Sequence, residues 1–302
     1  MLDIKKIDIH CHVTAYPEWI PKYKNGSRWL SGNEMIEFYE KLNVEKGVLL
    51  PLVSGEGQWI HGNNENVLTV MEKYPEHFWW FCNVDARAGA NSEKEDLSLL
   101  LEHYKAMGAK GVGEITTNIY ADDPRMDNLF AHCAATDMPA LMHISPQLNY
   151  SYGIVDDRGL PRIEKMLKKH PNLKLIGHSQ CFWTEISDDI APEEWKTRMT
   201  HVKGKVKEGT LTRLMREYGN LYCDLSAGSG SNAMMRDPEH AARFIEEFSD
   251  RIMYGIDICG AHQTFPFAFD EWLTEMVESG MISETNYRKI VRDNAIRILG
   301  LD

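Results

Sequence analysis

The chain has no CxxC pair. Its six cysteines, at 11, 82, 133, 181, 223 and 259, stand apart, most of them in or beside apolar strand patterns, which suits reduced, buried thiols and argues against a disulfide framework. No apolar run approaches the roughly 18 to 20 residues of a membrane span. The stretch Met1 to Lys6 carries no apolar signal core, so the expectation is a cytoplasmic protein with no membrane partner. Positive charge is in deficit: 33 Lys and Arg stand against 45 Asp and Glu, a net charge of −12. That charge repels nucleic-acid phosphates and anionic lipid, and no local basic patch reverses it. No GxSxG, HExxH, GxxxxGK[ST] or GxGxxG occurs, so serine-esterase, zincin, P-loop and dinucleotide readings have no local motif to stand on. Linkers, repeats and low-complexity tracts are missing too, and 302 residues at 43% hydrophobic content are read as one domain, 1–302, with a large core.

What the chain does have begins at Lys6-Ile7-Asp8-Ile9-His10-Cys11-His12, a strand pattern ending in histidines at i and i+2. Side chains alternate across a strand, so His10 and His12 share one side and Cys11 faces away. Two imidazoles roughly 6 to 7 Å apart along a strand can reach one ion at metal–nitrogen bonds of about 2.0 to 2.1 Å. Taken alone, the pair is equally two solvated histidines at a strand end.

Further along, strand patterns alternate with helix patterns. After the aromatic loop holding Tyr16, Trp19, Tyr23 and Trp29, Asn33 is expected to cap a helix, and 46–53 reads as strand two. Strand three is 78–84; Ser92 and Glu95 suggest a capping box for the next helix; strand four, 110–115, carries Glu114 at its end. Asp123 and Pro124 open a helix that leads to strand five, 139–143, ending in His143. Pro161 opens another, before strand six, 173–178, which ends in His178. A long excursion, 179–207, and a further helix precede strand seven, 220–225. A Gly/Ser turn at 226–232 follows it, and then a helix from Asp237 and Pro238. Strand eight, 251–257, ends in Asp257, and the chain closes with two helices, the last an addition to the repeating pattern.

Eight strands alternating with helices over about 300 residues is the arithmetic of a parallel (β/α)8 barrel, an α/β fold whose catalytic groups sit at the C-terminal strand ends. His10, His12, Glu114, His143, His178 and Asp257 all fall there. Singly, each has a dull reading as a solvated or backbone-bonded side chain; jointly they predict a metal site at one mouth.

These residues and their surroundings resemble the amidohydrolase superfamily, in its amidohydrolase-2 branch. The resemblance runs over nearly the whole chain and is carried by Asp8-Ile9-His10-Cys11-His12, Leu141-Met142-His143, Ile176-Gly177-His178-Ser179-Gln180, Tyr222-Cys223-Asp224-Leu225-Ser226, Arg236-Asp237-Pro238, Met253-Tyr254-Gly255-Ile256-Asp257 and Arg292-Asp293-Asn294-Ala295. It implies that His10, His12 and Asp257 bind a divalent ion, zinc or manganese, with His143 and His178 on the opposite wall and one or two ions per chain. It implies a hydrolase that cleaves an ester, lactone or amide of a small polar molecule with an ion-activated water. Asp257 then relays the proton and His178 stands beside it as the second catalytic residue. The alternative within the same branch is a nonoxidative decarboxylase, a lyase acting on a small unsaturated or aromatic acid. Glu114 matches the strand-four position where binuclear members carry a bridging ligand; its other reading is an acceptor for a ligand histidine. Asp224 either supports the site or caps its turn, and Arg87 either grips a substrate carboxylate or forms a surface ion pair. Some of the tryptophans at 19, 29, 59, 183 and 195 are expected to wall the pocket, and a homo-oligomer is compatible with all of this.

Overall fold

A computed structural model of the protein describes residues 3–57, 62–196 and 202–301. Nine strands appear among them: β1 (Lys6–Cys11), β2 (Val44–Leu49), β3 (Phe78–Trp80), β4 (Val112–Ile115), β5 (Ala140–Ser145), β6 (Ile154–Val155), β7 (Leu175–His178), β8 (Leu221–Asp224) and β9 (Ile252–Met253). All pairings between them are parallel, β1-β2-β3 in one sheet and β4-β5-β7-β8-β9 in the other, with the short β6 added beside β5. Backbone hydrogen bonds join the two sheets at both seams. At one, Lys110 N donates to Trp80 O and Gly113 N to Cys82 O; at the other, Ile9 N donates to Tyr254 O and Asp257 N to His10 O. Eight of the strands therefore stand where a (β/α)8 barrel requires them, and β6 is the one strand the sequence pattern did not predict.

The helices are α1 (Gly32–Leu42), α2 (Asn64–Lys73), α3 (Ser98–Ala106), α4 (Pro124–Ala135), α5 (Pro161–Lys169), α6 (Gln180–Thr184), α7 (Pro192–Lys196), α8 (Thr210–Glu217), α9 (Ala227–Met235), α10 (Pro238–Phe248), α11 (Phe265–Glu278), α12 (Glu284–Arg288) and α13 (Asn294–Leu299), the last two joined by a π turn at Lys289–Asp293. Among the described residues no helix is long and apolar enough to cross a membrane. Asp123 and Asp237 cap α4 and α10 as expected, each accepting a backbone N–H while proline takes the first helical position.

Four local expectations fail for identifiable reasons. The cap of α1 is Ser31, whose hydroxyl and backbone N–H exchange hydrogen bonds with Glu34, so Asn33 lies inside the helix. Ser92 and Glu95 form a turn instead of a capping box, because the Glu95 carboxylate accepts from Ala90 N and the helix begins only at Ser98. Strand eight shortens to β9, with the segment up to Asp257 held by the seam bonds instead of a ladder. The Gly/Ser stretch 226–232 is not a turn: most of it is the helix α9. Glycine costs a helix roughly 1 kcal/mol against alanine. At Gly230, however, a Cβ would lie 2.3 Å from Leu225 O, so the bare backbone is what lets this helix seat against the end of β8.

The core has two main parts, beside a small cluster of Ile20, Trp29 and Leu52. Ile7, Ile9, Val48, Leu50, Phe81, Leu141, Ile176 and Met253 fill the barrel, with Ile298, Leu299 and Leu301 from the C-terminal segment packed against them. A larger layer lies between strands and helices and includes Cys11 and Val13. β1 thus presents Ile7 and Ile9 to the barrel interior but Cys11, like Val13 just after the strand, to the outer layer. The pairing of β1 with β2 is irregular between Asp8 and Cys11, and such an irregularity changes which face a strand presents. It is what turns His10 and His12 into the mouth.

Candidate active site

The six strand-end residues converge. His10 lies in the irregular stretch of β1 and His12 just beyond it, Glu114 is the last residue but one of β4, His143 and His178 are register partners on β5 and β7, and Asp257 follows β9. Five of them are buried, and Asp257 keeps 17% of its side chain exposed at the floor of an open cavity of about 740 Å³. That volume suits a small organic molecule. Tyr152, Gln180, Ser229, Gln263 and Phe265 line its walls, and the Tyr152 ring lies 4.7 Å from that of His143.

The tautomers follow from the partners. His12 Nδ1 stands 3.0 Å from Leu50 O, a carbonyl that can only accept, so Nδ1 carries the hydrogen and Nε2 keeps its lone pair. His10 Nδ1 stands 2.7 Å from the Asp224 carboxylate, with the same consequence. The two Nε2 atoms then face each other at 3.0 Å. Two lone pairs cannot hydrogen-bond; they need a proton or a metal cation between or beside them, and two nitrogens on one tetrahedral ion at about 2.1 Å stand roughly 3.4 Å apart. Asp257 Oδ1 lies 3.5 and 3.7 Å from these nitrogens, and Glu114 Oε2 3.7 and 3.3 Å. His10, His12 and Asp257 form one set that could hold an ion, and His10, Glu114 and His178 another.

Electrostatics point the same way. Burial works against charge on His10, yet Asp257 and Asp224 outweigh it and lift its pKa well above the ordinary imidazole value. Burial likewise opposes charge on Glu114, and His143 with the two β1 imidazoles still holds its carboxyl well below the usual range. Among the described residues the ion pairs of Glu114, Asp224 and Asp257 run to histidines alone. Without a metal these carboxylates favour a proton on His10; one or two divalent cations bound there would displace it and balance the same negative charge, because an uncompensated buried charge costs several kcal/mol.

Glu114 divides its two oxygens. Oε2 faces the pair His10 and His12, while Oε1 stands 2.6 Å from His143 Nδ1 and 3.8 Å from His178 Nε2. Asp224 both supports the site and caps its turn: Oδ2 reaches the imidazoles, and Oδ1 accepts from Ser226 N at 2.8 Å. Arg87 does not serve the cavity; it is held in ion pairs with Glu56 and Asp85. Of the tryptophans, Trp183 donates to Asp224 O at 2.9 Å and Trp29 packs 5.6 Å from the His12 ring. Trp195 is core, Trp19 is exposed and stacked on Tyr16, and Trp59 lies outside the described residues.

Three residues the sequence reading passed over also act here. Asp8 accepts from His10 N and Ile256 N, tying β1 to the segment that carries Asp257; burial pushes its pKa up to about 7 against those bonds and that from Tyr39. Ser226 contacts Asp224, His10 and His178, and Tyr152 covers His143. The i+2 spacing of Ser226 from Asp224 was the available signal for the first of these contacts; nothing in the pattern marked Tyr152.

A family model described as Amidohydrolase matches residues 7–301, and the chain belongs to that family. Its members include hydrolases and decarboxylases. Among solved structures the chain is similar to a putative 2-pyrone-4,6-dicarboxylic acid hydrolase from Pseudomonas putida (13% identity, 99% of each chain covered, TM-score 0.62). It is also similar to an amidohydrolase from Burkholderia multivorans with bound zinc (14%, 99% of this chain and 100% of that one, TM-score 0.62). A third is a dihydroxybenzoic acid decarboxylase from a Polaromonas species, with manganese and the inhibitor 2-nitroresorcinol (14%, 99% and 97%, TM-score 0.57). At such identities the likeness establishes the barrel fold. No curated protein matches the chain.

Proposed function

We propose that the protein is a metal-dependent hydrolase that cleaves an ester, lactone or amide bond of a small polar molecule. The observation that carries this reading is the pair of Nε2 lone pairs on His10 and His12, 3.0 Å apart and facing Glu114 and Asp257. His10, His12 and Asp257 would hold one divalent ion, zinc or manganese, and Glu114, His143 and His178 a second. Bound there, a divalent ion would supply a water of pKa about 7 and polarisation of the bond under attack. Asp257 takes the proton from the attacking water and returns it to the leaving group; its partial exposure to the cavity lets it reach both. His178, whose Nε2 lies 3.4 Å from Asp257 Oδ2, would hold its ion directly beside that carboxylate. The division of the Glu114 oxygens between two histidine pairs supports two ions and, with them, hydrolysis over decarboxylation.

The test is a screen of zinc- and manganese-reconstituted protein against esters, lactones, amides and phenolic acids. Hydrolysis of one of the first three classes is expected. Release of bicarbonate from a phenolic acid, with the other three untouched, would replace this reading with the lyase. Asp257→Asn, compared at equal metal content, is expected to lower kcat by about 100- to 10,000-fold in steady-state kinetics. An unchanged kcat would remove Asp257 from the proton path.

A further inference from the structure

Asp224, the last residue of β8, is fully buried, and its Oδ2 is a three-way junction: His10 Nδ1 lies 2.7 Å away, His178 Nδ1 3.1 Å and Ser226 Oγ 2.7 Å. From that shared oxygen the two imidazoles, their centroids 4.3 Å apart, fan out to opposite oxygens of the same two carboxylates. His10 Nε2 stands 3.5 Å from Asp257 Oδ1 and 3.7 Å from Glu114 Oε2. His178 Nε2 stands 3.4 Å from Asp257 Oδ2 and 3.8 Å from Glu114 Oε1. We propose that Asp224 is a positioning residue that sets the tautomer of His10 and His178 together, so that one carboxylate aims a ring nitrogen into each half of the metal centre.

The chemistry is that of donor counting. A carboxylate can only accept, so His10 Nδ1 must carry its hydrogen; the Ser226 hydroxyl, which donates to Asp224 Oδ2, is left to accept from His178 Nδ1 at 3.0 Å, and each Nε2 is left as a lone pair for a cation. The other two histidines are governed separately: His12 by Leu50 O, and His143 through its Nδ1 on Glu114. Asp224, with the Ser226 hydroxyl that donates to it, spans both halves. The surrounding chain holds it for that purpose. Trp183 donates to its backbone carbonyl and Ser226 N to Oδ1, while residue 255 is glycine where a Cβ would stand 2.6 Å from Oδ1 and 3.2 Å from His10 Cβ. A side chain at 255 would push the carboxylate off the junction.

The inference rests on the metal-centre part of the proposed function and not on the reaction catalysed, and its test reads tautomer and metal affinity instead of turnover. In zinc-loaded protein labelled with 15N-histidine, long-range 1H–15N correlation is expected to show Nδ1 protonated and Nε2 ligated on both His10 and His178. An unprotonated Nδ1 on either ring overturns the proposal, and this arm needs no variant. Asp224→Asn places an amide N–H in the junction. Zinc affinity is then expected to fall by about 10- to 100-fold at both positions, with at least one of the two rings shifting its hydrogen to Nε2. Ser226→Ala removes the hydroxyl and keeps the carboxylate, and both Nδ1 hydrogens should stay in place. An Asp224→Asn protein that melts as a folded chain and binds zinc as tightly as wild type would show that the junction is packing only.

Discussion

Replacing His10 and His12 together with alanine is expected to abolish binding of zinc and manganese in the HxH half of the site and with it all turnover. Both side chains are buried, and their Nε2 atoms are two of the four donors that converge at the end of β1. No other side chain among the described residues is placed to take over, because His143 is committed to the far oxygen of Glu114 and His178 to the far oxygen of Asp257. Deleting two nitrogen ligands from so small a set removes the HxH half outright. It also strips Asp224 and Glu114 of buried partners, and breaking a buried ion pair typically costs about 3 to 5 kcal/mol, so the titration must be read on protein shown to be folded by circular dichroism. Calorimetric titration of chelator-stripped variant should show at least one fewer ion bound than wild type. Binding of the same number of ions as wild type, with wild-type affinity, would mean that His10 and His12 are solvated bystanders.

Glu114→Gln has the second large effect. Two dications about 4 Å apart repel each other by roughly 16 kcal/mol at an effective dielectric of 20, and a bridging carboxylate is what offsets that repulsion. The amide keeps an oxygen but loses the charge, so the bound ion count should fall by one while the ion held by His10, His12 and Asp257 remains. Elemental analysis after equilibrium dialysis reads this directly. The competing role for Glu114 is as acceptor for His143 Nδ1, 2.6 Å from Oε1. In that case the count would stay the same, and affinity alone would fall, by about 10- to 100-fold. The two roles differ in stoichiometry, not merely in degree.

How far the sequence could be read depended on which residues carry information locally. Barrel strands are buried on both faces, so they appear as short apolar runs, and the polar residue ending each run is conspicuous. His143 after Ala140-Leu141-Met142 and His178 after Leu175-Ile176-Gly177 are of this kind, and both stand in the structure where the pattern placed them. Less legible was anything decided by a contact between distant segments. The irregularity that turns His10 inward depends on how β1 registers against β2, which alternation along β1 alone does not encode. The helix α9 defied its glycines because Gly230 approaches Leu225, a tertiary fact that overrides local propensity. Asp224 could be read as support or cap but not as both, since its partners lie 214 and 46 positions away in the sequence at His10 and His178. Arg87 shows the converse: its partners Asp85 and Glu56 hold it on ordinary ion-pair terms, the commoner fate of a half-exposed arginine.

The most direct test of the metal-centre account is the metal content of the wild-type chain. Protein purified without chelator after growth with added zinc and manganese should carry between one and two divalent first-row ions per chain by elemental analysis. Stripped protein should take up two on titration, and uptake should restore activity. A wild-type chain that holds no ion after such growth, and takes up none on titration, would contradict the reading of His10, His12, Glu114, His143, His178 and Asp257 as a metal centre.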